Sequence, residues 1–214
     1  KMPKKYFEQF GCVIGDEAHM FKAKSLTSIM TKLHQCKYRF GFTGTLDGTE
    51  THRLVLEGLF GSVEQVVTTK ELIDKKTLAN LKIKCITLKH PEKREKMTYA
   101  EELDYIVSHE KRNTFLCDLL HHLNGNTLCL FQLVEKHGKV LYERMKGKEN
   151  VYFVYGATSA EQREEIRGIV DSSTLSTTIA SYGTFSTGIN IRNINNIVLA
   201  SPSKSKIRVL QSIG

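Results

Sequence analysis

Cys12-Val13-Ile14-Gly15-Asp16-Glu17-Ala18-His19 is the stretch from which the chain is best read. A short apolar run that ends on two carboxylates has the pattern of a buried strand with a polar tip. Open parallel sheets place ligands at the carboxyl ends of their strands, so Asp16 and Glu17 stand where a ligand would sit. Adjacent carboxylates there suit a magnesium-bound nucleotide such as ATP. Asp16 would hold Mg²⁺, largely through water, because Mg²⁺ gives up its hydration shell reluctantly. Glu17 would orient and deprotonate an attacking water, and His19 would link this site to the next motif by a hydrogen bond. Read as a helix start alone, the same acids would only offset the helix dipole.

Working outward, strands and helices alternate. A helix is expected over 25–33, where Leu26, Ile29, Met30 and Leu33 share one face, and a strand over 38–42, closed by Thr43-Gly44-Thr45. Further elements are expected as a helix over 52–59, a strand over 63–67, a helix over 71–81 and a strand over 82–88. The charged stretch 89–96, with Pro91, reads as an exposed linker. The domain boundary is set just before it, giving domains 1–78 and 79–214. The second half repeats the pattern: helix 113–123, strand 127–131, helix 136–146, strand 151–155, a helix from Ser159 through Val170 with Gln162 at capping-box spacing, and strands 177–181 and 197–200. Such alternation implies an α/β fold with parallel sheets covered on both faces.

Composition adds a little. The formal net charge is +8 and the pI about 9.2, which favours a polyanionic partner such as nucleic acid. The five cysteines include no C-x-x-C pair and several lie in apolar runs, so they read as small buried hydrophobes in a reducing compartment. Cys117 and His121 share a helix face, but a metal site needs more ligands. No apolar stretch approaches a membrane span. The expected setting is the cytoplasm.

The motifs in order resemble those of the superfamily 2 helicases of DEAH type. Asp16-Glu17-Ala18-His19 stands for motif II, and Thr43-Gly44-Thr45, alone an ordinary turn, resembles motif III, which couples hydrolysis to domain movement. Leu128-Cys129-Leu130-Phe131 resembles motif IV, and Ser181-Tyr182-Gly183-Thr184-Phe185-Ser186-Thr187-Gly188-Ile189-Asn190 resembles motif V. The resemblance implies that Gly188 and Asn190 approach the nucleotide and that Thr184 lies near the nucleic-acid backbone. Asn190 replaces an Asp found in many relatives. Gln211-Ser212-Ile213-Gly214 resembles the opening of motif VI, which would add Gln211 to the nucleotide contacts. Leu59-Phe60-Gly61 and Glu71-Leu72-Ile73 place the likeness within the branch that includes phage recombination and repair helicases.

The resemblance implies two RecA-like lobes with parallel sheets flanked by helices, the first lobe incomplete, with ATP and Mg²⁺ bound between them. It implies a monomer acting on single- or double-stranded DNA, unwinding branched DNA or RNA–DNA hybrids and driving branch migration in recombination, repair and replication. A phosphate-binding loop of the form G-x-x-x-x-G-K-S/T is missing: Val140 follows Gly138-Lys139 and Glu149 follows Gly147-Lys148. The arginines of motif VI are missing too, so the chain alone is expected to be inactive and to be part of a longer protein. A restriction-enzyme translocase subunit shares these motifs, and a regulatory nucleic-acid-binding module with a degenerate ATP site is the rival from another class. Two further stretches are candidate nucleic-acid contacts. The run Lys204-Ser205-Lys206-Ile207-Arg208 offers Lys204 and Lys206 to phosphates, or forms a solvated helix face. Gly156-Ala157-Thr158-Ser159 offers Gly156 and Thr158 at a helix start, or simply caps that helix.

Overall fold

The computed structural model describes residues 2–46, 50–89, 96–185, 191, 193–205, 209–210 and 212 of the 214. Two compact units emerge, one up to Lys82 and one from Ile83 onward; the sequence reading sets the boundary at 78/79.

The first unit contains α1 (Lys4–Phe7), β1 (Cys12–Gly15), a 3-10 turn (Ala18–Lys22), α2 (Lys24–Lys32), β2 (Tyr38–Gly41), α3 (Glu50–Phe60) and α4 (Thr69–Asp74). β1 and β2 pair in parallel, with Cys12 opposite Tyr38 and Gly15 opposite Gly41. Side chains alternate along a strand, so Val13 falls on the same face as the two glycines. That face packs against Met30, Leu33 and Cys36 together with Phe7, Phe21, Leu59 and Phe60. The opposed glycines make this packing possible. A Cβ at Gly15 would lie 2.9 Å from Phe60 Cζ and 3.0 Å from Phe21 Cζ, and one at Gly41 would lie 3.0 Å from the Phe60 ring. Phe21 and Phe60 meet edge to face, 5.0 Å between centroids, a favoured aromatic geometry. Among the described residues the other face is left bare: Ile14 is 67% exposed and Phe40, its register partner, 50%.

Three expectations fail in this region. Residues 63–67 and 82–88 form no strand, and the helix expected over 71–81 closes at Asp74. Val66 is 93% exposed and Ile83 72%. Their apolar residues find no neighbouring strand among the described residues, and an extended segment gains nothing from them without a ladder and a surface to cover. Cys12 and Cys85 are exposed, against the buried role expected for cysteines, whereas Cys36 and Cys129 are buried.

The second unit contains α5 (Tyr99–Ser108), α6 (Glu110–His122), β3 (Thr127–Phe131), a π-helical turn (Val134–Gly138), α7 (Lys139–Met145), β4 (Val151–Val154), α8 (Ala160–Ser172), β5 (Thr177–Ser181), α9 (Tyr182–Phe185) and β6 (Asn196–Leu199). The strands are parallel in the order β4-β5-β3-β6. Every residue of β3 is buried, as an apolar strand covered on both faces requires. Cys129 and Phe131 pack with Leu116, Leu120, Leu141 and Met145 on one face. Leu128 and Leu130 pack with Val154, Ala180 and Tyr182 on the other. Each such side chain contributes about 1.5–3 kcal/mol by leaving water. The chain is therefore α/β with parallel sheets flanked by helices, as expected. Among the described residues no helix is long and apolar enough to cross a membrane.

Candidate nucleotide and nucleic-acid sites

Parallel pairing of β1 and β2 brings their carboxyl ends side by side, and the backbone stays paired beyond the strands. Phe42 N–H donates to the Gly15 carbonyl and Ala18 N–H to the Phe42 carbonyl, both at 2.8 Å. Asp16 and Glu17 occupy the turn between, both exposed. Glu17 adopts φ 48°, ψ 50°, a left-handed conformation that costs a non-glycine residue on the order of 1–3 kcal/mol and is concentrated at functional sites. Asp16 Oδ1 accepts the Glu17 amide at 2.8 Å and holds the turn.

His19 is buried, 3% exposed. Its Nδ1 lies 2.9 Å from Thr43 Oγ1 and 3.1 Å from Glu17 Oε2. Thr43 spends its one hydroxyl proton on the Thr45 carbonyl at 2.9 Å, while its oxygen accepts the Thr45 amide at 3.3 Å. Thr43 Oγ1 can therefore only accept from His19, so Nδ1 carries the proton and serves both Thr43 and the Glu17 carboxylate. Glu17, His19, Thr43 and Thr45 thus form one hydrogen-bonded unit around the bend at Gly44, where a Cβ would meet nothing within 4 Å. Among the described residues no group of three or more His, Cys, Asp or Glu could cage a metal. The single exposed Asp16 carboxylate nonetheless fits Mg²⁺, which characteristically keeps several waters and binds through one or two carboxylates plus substrate phosphates.

In the second unit the parallel register sets several other candidates at the carboxyl ends of strands. Gly156 and Thr158 follow β4, Thr184 follows β5, and Lys204 lies beyond β6. Several local groups already have partners within the fold. Thr158 Oγ1 accepts the Tyr155 amide at 3.0 Å and Thr158 N–H donates to the Tyr155 carbonyl at 3.0 Å. Ser159 and Gln162 form the expected capping box at the start of α8, and the Glu161 carboxylate, held below the usual range by its own backbone amide and by Ser159, also bonds there. Thr184 is 3% exposed and its hydroxyl meets Ser181 Oγ at 2.6 Å. The Lys204 ammonium rests 3.7 Å over the Tyr99 ring, a cation–π contact. Gly188, Asn190, Lys206 and Gln211 lie outside the described residues.

Sequence reading passed over several residues. Arg163, one turn into α8, donates from Nε to the Thr158 carbonyl at 2.9 Å and from Nη2 to the Gly156 carbonyl at 3.4 Å, bracing the loop after β4. His137, fully buried, is pushed down to about 4 by burial and then by the Arg112 charge, and is neutral at physiological pH. Cys129, by contrast, is the buried hydrophobe that the sequence suggests, and burial pushes its thiol up to about 12. An arginine four residues into a helix after a Gly-x-Thr loop was a usable signal for Arg163; nothing local marks His137.

Residues 111–214 match the helicase conserved C-terminal domain family. The whole chain is similar to the ATP-dependent DNA helicase uvsW of Enterobacteria phage T4, 36% identical over 222 residues, and spans 44% of that relative's length. The segment 111–214, which holds the fully parallel sheet of the second unit, is thus similar to the C-terminal domain of helicases, and the chain as a whole is similar to a helicase.

Proposed function

We propose that the complete protein to which this chain belongs is an ATP-dependent helicase or translocase that unwinds branched DNA or RNA–DNA hybrids in recombination and repair. On this reading residues 1–78 are the C-terminal part of the first RecA-like lobe and 79–214 the second. The observation that carries it is the Glu17–His19–Thr43 unit at the paired ends of β1 and β2. A carboxylate in that position, tied through His19 to the following strand's exit, suits a general base whose placement is coupled to movement. Asp16 would hold Mg²⁺, Glu17 would take the proton of the attacking water, and Thr43-Gly44-Thr45 would relay the change. Bound Mg²⁺ would neutralise charge on the phosphates. The net charge of +8 supports a nucleic-acid partner, and the name of the phage relative, an ATP-dependent DNA helicase, supports DNA.

Glu17→Gln in the complete protein tests the assignment. ATP and nucleic-acid binding are expected to persist, because Asp16 and its charge remain. Single-turnover hydrolysis is expected to fall by about 10² to 10⁴, the usual effect of removing a general base. Wild-type hydrolysis in the variant would overturn the role of Glu17, and a matching loss of ATP affinity would move Glu17 from proton transfer to binding.

A further inference from the structure

β5 and β6 share no ladder, because β3 lies between them. The chain leaving β5 and the chain leaving β6 therefore share no backbone ladder, and a side chain links them directly. Tyr182, the first residue after β5, supplies the span: its O–H donates to the Ser201 carbonyl at 2.9 Å. Ser201, two residues beyond β6, is gripped again through its hydroxyl. Its Oγ accepts the Gln132 amide, just past β3, at 3.1 Å, and lies 2.8 Å from His137 Nδ1. Arg112 of α6 donates to the preceding carbonyl, that of Ala200. Tyr182, His137 and Ser201 are each at most 2% exposed.

The proton arrangement follows from counting. Among the described residues Ser201 Oγ already receives the Gln132 amide, and its own proton has only His137 Nδ1 to go to. The imidazole then carries its proton on Nε2, which has no hydrogen-bond partner among the described residues. The reverse tautomer would strand the serine proton and the Nε2 lone pair together, two orphans instead of one. A neutral imidazole, as burial dictates, is what this arrangement needs.

We propose that Tyr182, Ser201 and His137 form a strut across β3 that positions the chain segments leaving β5 and β6 relative to each other. Those segments, starting at Gly183 and at Pro202, are the ones to which the helicase reading above assigns nucleotide and nucleic-acid contacts, and the inference rests on that reading. The three are positioning residues: they act by fixing the exits of two unpaired strands. Loss of one hydroxyl would free one exit to drift, and misplacement by an ångström lowers rates by up to about 10².

The test uses Tyr182→Phe and Ser201→Ala, singly and together, in the complete protein, with Tyr152→Phe on β4 as control. DNA-stimulated kcat and the KM for ATP are measured at a temperature where each variant keeps its wild-type circular dichroism. Each strut variant is expected to lose about tenfold in kcat while KM for ATP stays within about twofold, the control to be unchanged, and the double variant to lose no more than the worse single. A purely structural role would lower Tm and leave kcat in the folded variants intact, and that result overturns the proposal. Hydrogen exchange on Tyr182→Phe of the chain itself gives an independent reading: amides of 200–205 should exchange faster than in wild type and those of β4 should not. Unchanged exchange at 200–205 also overturns it. A wild-type protein without DNA-stimulated hydrolysis would sink the helicase reading, and the exchange result alone would then decide the strut.

Discussion

The sheet of the first unit covers one face and that of the second covers two. β1 and β2 pack Val13 and the glycine pair against Phe21 and Phe60, while Ile14 and Phe40 stand in solvent. β3 buries all five residues, and its two faces belong to two separate clusters. The acidic turn at Asp16-Glu17 therefore depends on one packed face and on hydrogen bonds beyond the strand ends, whereas the exits of β5 and β6 stand on a core closed on both sides. The proposed function puts chemistry at strand ends in both units, but the support beneath it differs.

The sharpest way to break this contrast is to cut one side chain from each sheet. Leu130→Ala removes a side chain with no exposure and is expected to cost the second unit about 2–5 kcal/mol in denaturant unfolding. Phe40→Ser, on the bare face, is expected to change stability by less than about 0.5 kcal/mol while lowering binding of a hydrophobic dye. Equal losses at the two positions would erase the distinction. A titration separates the units next. His137 is depressed to about 4 in the fold from 6.5, so the unfolded chain binds the extra proton. The stability this contributes is complete above pH 6.5 and is lost as pH falls toward 4. At about 1.4 kcal/mol per unit the loss is about 3 kcal/mol. Unfolding of the second unit followed from pH 7 to 4 should show this slope, and His137→Gln should flatten it. The smallest effect concerns the glycine pair. Gly15→Ala would press on the ends of the Phe60 and Phe21 rings, both only partly buried and able to shift, so about 1–2 kcal/mol is expected from thermal unfolding. Gly156→Ala, with nothing within 4 Å of its Cβ, is the control. A larger loss at Gly15 would mean that the single packed face is as rigid as the closed core.

Which parts could be read from sequence follows the same line. Thr127-Leu128-Cys129-Leu130-Phe131 and 177–181 coincide with β3 and β5 because fully buried parallel strands need unbroken apolar runs. Segments 63–67 and 82–88 interrupt their apolar residues with Glu64, Gln65, Lys82 and Lys84 and form no ladder. Helix α5 was overlooked although Thr98 and Glu101 announce it with a capping box. The π-helical turn was not legible: Gly138 sits there against the Phe131 ring, 2.4 Å from where its Cβ would be, a fit that no local pattern records. At the acidic site the residue types could be read, and a hydrogen bond from His19 to the next motif was expected, but not the atoms that meet. His19 and Thr43 lie 24 positions apart, and parallel register alone brings them together.

The bare face of β1 and β2 sets how the chain behaves as a material. Ile14, Tyr38 and Phe40 form an adhesive spot on a particle carrying eight excess positive charges. Like charge keeps two such particles apart only over the screening length, about 30 Å at 0.01 M salt and about 8 Å at 0.15 M. Salt thus pulls in two directions: it would loosen the proposed grip on a polyanion and it lets the adhesive spots of neighbouring chains meet. A concentrated stock should stay clear at low ionic strength and turn cloudy as salt is added, and DNA bound as proposed, by hiding the charge, should have the same effect as salt.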